Sequence, residues 1–207
     1  MRVVKEVNVR KSEILDAAEL LFETKGFDGT STTDILNEAG IARGTLYYHF
    51  KSKEDILDAI IERMTGSLVA KATEIAGKKD EPVLRRLTQM MLALHVDNGL
   101  GYEIIEQVHK PQNALMHQKM QERMLVGINP IITALIGEGI AQGICQTDYP
   151  TEVAEMTFLY SSTIFDNLAI HSVEERERKT AAFIYNLERL LGMERDSLQG
   201  AILPIFG

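Results

Sequence analysis

The sequence predicts an all-α protein: a three-helix head containing a helix-turn-helix, followed by a larger helical domain. Three observations carry this. Apolar residues recur at spacings of three and four along nearly the whole chain, and period-two alternation is nowhere sustained. The five prolines fall mostly at plausible helix boundaries. Residues 31–53, STTDILNEAGIARGTLYYHFKSK, read as two short helices joined by a tight turn.

The first helix is expected over Lys11–Lys25, with Ile14, Ala17, Ala18, Leu21 and Phe22 on one face and Gly26 as its stop. Ser31 begins the second, and Asp34 three positions later completes a capping box. Ile35, Leu36 and Ala39 give it an apolar face, and Gly40 suits the left-handed conformation that ends a helix. Arg43–Phe50 restarts helically, with Leu46 and Phe50 four apart as the inward pair. Ser52 can cap a fourth helix, with Asp55 at its third position, running through Ile56, Leu57, Ile60, Ile61 and Met64 to about Ala76.

After the loop 77–82, Leu84, Leu87, Met91 and Leu94 mark another helix, broken at Asn98-Gly99. A short helix to His109 is closed by Pro111. A long one follows over 113–142, and Pro130 inside it should kink or split it just upstream. The last two are expected from Thr151 to His171 and, capped by Ser172, from Val173 to Leu191. The chain therefore divides into a head at 1–55, a second domain at 56–192 and a tail at 193–207, with helix four (about 53–76) linking the first two. The tail ends in AILPIFG, which is compatible with packing or with disorder.

With 207 residues, 45% of them hydrophobic, the chain can build one sizeable core or two small ones. No contiguous apolar run approaches the roughly 18 residues of a membrane span. The start, MRVVKEVNVRK, lacks the apolar centre of a secretory signal, so a cytoplasmic protein with no membrane partner is expected. The single cysteine, Cys145, excludes an intramolecular disulfide framework and reads as a small core hydrophobe beside Ile140 and Ile144. The net charge of −8 does not exclude nucleic acid, because Arg2, Lys5, Arg10, Lys11, Arg43, Lys51 and Lys53 gather at the N-terminal end.

The second helix of the motif carries Thr45, Tyr48 and His49 on a face that the core does not need, followed by Lys51 and Lys53. Hydroxyls, an imidazole and ammonium groups are costly to bury and well matched to phosphates and base edges. Gly26-Phe27, Thr30-Ser31, Ile35, Ala39-Gly40-Ile41, Gly44-Thr45-Leu46-Tyr47-Tyr48-His49-Phe50 and Lys53-Glu54 together resemble the N-terminal signature of the TetR family of bacterial transcriptional regulators.

The resemblance implies a homodimer that binds a palindromic double-stranded DNA operator and responds to a small-molecule effector. It implies that Thr45 faces a base edge, Arg43 a guanine or a phosphate, and that Gly44 allows close approach of the duplex. Tyr47, Tyr48 and His49 would contact phosphates, with Thr32 and Lys53 clamping the flanks. For Tyr47, a ring packed under the motif with only its hydroxyl exposed is equally compatible.

No HExxH, phosphate-binding glycine loop or nucleophile elbow is present, so no enzyme, cofactor or metal is expected. Met91, His95, Tyr102, His109, Met116, His117, Met120, Met124, Phe158, Phe165 and Asp166 are candidates to line an effector cavity, although methionines at helical spacing also build ordinary cores. Apolar residues occur on more than one face of the last two helices. Leu159, Phe183, Leu187 and Leu190 are therefore candidates for a dimer interface. The expected function is a ligand-responsive repressor. The competing reading is a helical small-molecule-binding or catalytic protein that no longer binds an operator.

Overall fold

A computed structural model describes residues 2–95, 114–165 and 172–206, with the side chains of 2–6, 95, 204 and 206 outside the description. These residues form helices and no strand: α1 Arg2–Lys25, α2 Thr32–Ala39, α3 Arg43–His49, α4 Lys53–Ala76, α5 Val83–His95, α6 Ala114–Ala141, α7 Pro150–Ile164, α8 Val173–Leu190 and α9 Gln199–Phe206. They belong to two compact units, Met1–Thr65 with Tyr102–Met120, and Gly66–Gly101 with Gln121–Gly207. The division falls inside α4 and inside α6.

In the first unit, Ile14, Ala18, Leu21 and Phe22 of α1 meet Ile35, Leu46, Phe50 and the α4 residues Ile56, Leu57, Ile60 and Ile61 in one buried cluster. α1 starts nine residues before the expected Lys11, because nothing in the opening stretch breaks a helix. Of that extension, Asn8, Val9 and Arg10 are exposed. Arg63 of α4 pairs with Asp16 at 2.6 Å and also with Glu19, tying α4 to α1. Gly29 lies so close to the end of α1 that a Cβ there would fall 2.3 Å from the Lys25 carbonyl oxygen. Gly29→Ala is therefore expected to destabilise the first unit by about 1–3 kcal/mol, seen as a lower melting temperature.

In the second unit, Arg86 is fully buried and satisfies three elements at once. Its Nε donates to the Glu81 carbonyl at 3.1 Å, one Nη to the Ala76 carbonyl at 2.7 Å, and the other to the Glu138 carboxylate on α6. Arg86, with help from Lys79, holds the Glu138 carboxyl down at about 2. A depressed carboxyl contributes stability above its ordinary value near 4.5 and loses it as the pH falls towards 2. Acid titration of Glu138→Gln is expected to show a flatter loss of stability across that window than the unmodified chain.

Several expectations are corrected. Pro130 does not split the long helix, since α6 is one helix from Ala114 to Ala141 with Pro130 inside it. Pro130 is exposed and Val126, whose carbonyl loses its helical partner, is 73% exposed, so water can satisfy that oxygen. α6 is also long and apolar enough, by length and composition alone, to cross a membrane. Its polar residues are interspersed, so counting contiguous apolar residues missed it. One third of its most apolar window is buried within the fold. α7 begins at Pro150, preorganised for a first turn, rather than at Thr151. The tail is ordered. Buried Glu188 of α8 accepts the backbone N–H groups of Asp196 at 3.0 Å and Leu198 at 2.9 Å, and α9 buries Ile202 and Ile205 as it packs on α5.

Candidate nucleic-acid interface

α2 is fixed at both ends by its own sequence. Asp34 donates its N–H to the Ser31 hydroxyl at 3.1 Å and accepts the Ser31 N–H at 2.8 Å, the reciprocal capping box. The Ser31 hydroxyl, which donates to the Asp34 carboxylate at 2.5 Å, then the Ser31 N–H and Lys25 at 3.0 Å, hold the Asp34 carboxyl far below the ordinary carboxylate range. Gly40 takes the left-handed conformation at φ 61°, and its N–H reaches back to the Asn37 and Leu36 carbonyls. The turn delivers the chain to Ala42, where α3 begins.

α3 buries Leu46 at 1% exposure, and its C-cap Phe50 is buried beside it. Opposite them, Arg43, Gly44, Tyr47 and Tyr48 are exposed, with Thr45 and His49 half-buried. Tyr48 is 74% exposed, an unusual position for a ring with so much apolar area, and lies edge-on to His49 at 5.0 Å. The Arg43 guanidinium carbon stands 5.5 Å from the centroid of the Tyr47 ring, and Arg43, then Thr32, lower the pKa of the Tyr47 phenol below its ordinary value.

The structure thus brings Thr32, Arg43, Gly44, Thr45, Tyr47, Tyr48 and His49 together around α2 and α3. Lys53 is placed differently from the expectation of a simple phosphate clamp. Its ammonium donates to the Phe27 carbonyl at 2.6 Å and the Thr30 carbonyl at 2.8 Å, and stands 4.2 Å over the Phe27 ring. Two of its three donors therefore hold the α1–α2 loop, leaving one for any other partner. Thr30, 1% exposed, locks the same loop through bonds to the Leu21 and Gly26 carbonyls at 3.2 and 2.8 Å. The signal for both roles was the turn between Gly26 and Ser31, whose carbonyls need donors from outside the helices.

The effector candidates do not form one group. Met116 is part of the first unit's core and Met120 packs against it, with His117 on the same stretch of α6, so these are not placed among the second unit's helices as expected. Methionine at helical spacing here fills core. Met91, Met124, Phe158 and Phe165 do belong to the second unit. Tyr102, His109 and Asp166, and the side chain of His95, lie outside the described residues. Among the dimer candidates, Leu159 and Leu190 are 42% and 39% exposed. Phe183 and Leu187 are buried within the protomer, where Phe183 stacks on Tyr160 at 5.5 Å, so neither can form the outer face expected of it.

Comparison with known proteins agrees with this geometry. Residues 14–60 match the family model of bacterial regulatory proteins of the tetR family, and residues 99–185 match that of the tetracyclin repressor-like C-terminal domain. The HTH-type transcriptional repressor KstR2 of Mycobacterium tuberculosis is 34% identical over 59% of this chain, which spans 56% of that relative's length. The fatty acid metabolism regulator protein of Bacillus subtilis is 27% identical over 68% of this chain and 73% of its own. A regulatory protein of the tetR family from Rhodococcus superposes with a TM-score of 0.58 at 20% identity, covering 89% of this chain and 98% of that one. A γ-butyrolactone receptor gives 0.56 at 20% identity, covering 96% and 95%. By these matches and by its helix-turn-helix, the chain belongs to the TetR family of bacterial regulatory proteins.

Proposed function

We propose that this protein is a cytoplasmic, homodimeric transcriptional repressor that binds a palindromic operator and releases it when a small molecule binds the second unit. The observation that carries this is the outer face of α3, where Arg43, Gly44, Tyr47 and Tyr48 are exposed while Leu46 anchors the helix from below. A helix presented so has the dimensions and chemistry to enter a major groove. Thr45 reads a base edge, Tyr48 and His49 contact phosphates, and Thr32 lies at the flank. Repression as the direction of control is supported by the printed role of the KstR2 relative.

Dimerisation is supported by an apolar stripe on α7, where Met156, Leu159 and Tyr160 are 56%, 42% and 40% exposed, and α8 also exposes Tyr185 and Leu190. A two-fold axis would cover this surface with itself. An effector site in the second unit is supported by Asn129 Oδ1 and Thr133 Oγ1, one turn apart on α6 and buried without a hydrogen-bond partner. Each such atom carries a desolvation penalty of about 1–3 kcal/mol that a ligand donor would relieve. α4 belongs to both units and is the element through which a coupling of about 1–3 kcal/mol would pass.

The test is selection of bound duplexes from a random-sequence pool by the purified protein. A two-fold symmetric consensus is expected. Thr45→Ala should weaken binding to it by about 1–3 kcal/mol while random-duplex affinity stays nearly constant. A pool that shows no enrichment overturns the reading.

A further inference from the structure

We propose that Gly127 is a positioning residue for α4: its missing side chain lets α6 lie against Val69, and that contact sets the course on which α4 carries the DNA-binding head. This rests on the reading of the protein as a dimer that binds a palindrome. Glycine inside a helix weakens it relative to alanine, so one within α6 calls for a packing reason. A Cβ built on Gly127 would fall 2.5 Å from Val69 Cγ2, 3.4 Å from its Cγ1 and 3.6 Å from its Cβ. Gly137, further along the same helix, has nothing within 4 Å of its own Cβ position. The close approach therefore belongs to the turn around Gly127 and not to the whole of α6.

Val69 does not give way easily. A helical valine keeps essentially one χ1 rotamer, because both branches start at its Cβ. Thr65 and Ala72, which share its face of α4, are 4% and 0% exposed, so that face is already packed. α4 is also held at other points. Arg86 donates to the Ala76 carbonyl at its C-terminal end, and Arg63 donates to Asp16 of α1. An added methyl at Gly127 is therefore relieved by a change in how α4 and α6 lie against each other at this turn.

The consequence for recognition follows from the length of α4. It is one helix from Lys53, in the first unit, to Ala76, in the second, and Val69 lies in its second-unit part. From Val69 back to Lys53 the helix runs about 24 Å at 1.5 Å per residue, so a small tilt at the contact becomes a larger displacement at the head. Two heads on a palindrome must meet half-sites at a set spacing. Gly127 thus acts on that spacing. Base reading within a half-site is left alone, because Leu46 anchors α3 in the core of the first unit.

The experiment compares the unmodified full chain with Gly127→Ala, Val69→Ala, the pair, and Gly137→Ala. Each is titrated against the selected palindrome, against versions with the half-sites moved closer or farther apart, and against a duplex holding a single half-site. Gly127→Ala is expected to lose about 5–150-fold on the palindrome, the span of a typical coupling between sites, and to shift the preferred spacing. Affinity for the single half-site and the dimeric mass should hold. Val69→Ala should restore the palindrome affinity of the Gly127→Ala chain to within about threefold, because the two positions are then coupled through an ordinary contact at the 3.6 Å Cβ separation. Gly137→Ala, with the same gain in helix propensity, should change affinity by less than about twofold. If Gly127→Ala does not fold, Val69→Ile crowds the same contact from α4 with Gly127 intact and is expected to shift the spacing likewise. A folded Gly127→Ala chain with unchanged affinity and spacing, an equal loss on the single half-site, or a loss that Val69→Ala does not restore overturns the proposal. An unmodified protein that binds no duplex, or binds the palindrome as a monomer, removes the reading beneath the proposal and the proposal with it.

Discussion

Leu159→Arg is expected to convert the protein into a soluble monomer and to lower operator affinity by a hundredfold or more. Leu159 is 42% exposed on α7, between Met156 and Tyr160 on one stripe, so a guanidinium there meets water in the monomer and does not disturb the internal core. Across a two-fold axis the same substitution would place two cations in an apolar contact, where desolvation without a partner opposes association. Each head alone reaches half of a palindrome, and linking two binding modules raises affinity by roughly 10²–10⁴ over either one. Mass and affinity should therefore fall together, read by light scattering and by titration of the operator duplex. Leu187 would not serve for this test, because at 6% exposure a charge there would break the protomer. A chain that stays dimeric after Leu159→Arg places the interface elsewhere.

Arg86→Ala is expected to destabilise the second unit by about 3–5 kcal/mol, a fall in melting temperature on the order of 10 °C. The substitution leaves the Ala76 and Glu81 carbonyls without their donor, removes the main partner of Glu138 and opens a cavity where a fully buried side chain stood. Ala76 is the last residue of α4, so the lost bond also frees the C-terminal end of the helix shared by both units. Thermal denaturation followed by far-ultraviolet circular dichroism measures the loss. A fall of only a degree or two would mean that water replaces the guanidinium at all three sites.

What was legible in the sequence follows how far apart the interacting residues lie. The capping box needs Ser31 and Asp34 only three positions apart, the stop at Gly40 needs one residue without a Cβ, and Ser52 caps α4 through the N–H of Asp55 at 3.1 Å. Each is local, so each left a local pattern. Leu46 and Phe50, read as inward from a spacing of four, are both buried.

The Arg86–Glu138 pair joins residues far apart in the chain, and nothing near either one marks it. The same holds for Lys53, whose charge suggested DNA but whose ammonium is bonded to carbonyls of the α1–α2 loop. Exposure within a helix was also misjudged where two partners compete for one apolar face. Phe183 and Leu187 satisfy the protomer's own core, while Leu159 and Leu190 remain outside. The tail stayed ambiguous because its order depends on Glu188, buried on another helix.

The most direct measurement of the central claim is a salt titration of binding to the selected palindrome beside a random duplex of equal length. The account expects log affinity to fall steeply with log salt concentration, by about 0.9 units per neutralised phosphate. It also expects the palindrome to hold an advantage of at least roughly 10³ over random DNA at physiological salt. Binding that is indifferent to salt, or equal on the two duplexes, would contradict the assignment of the α3 face to the reading of an operator.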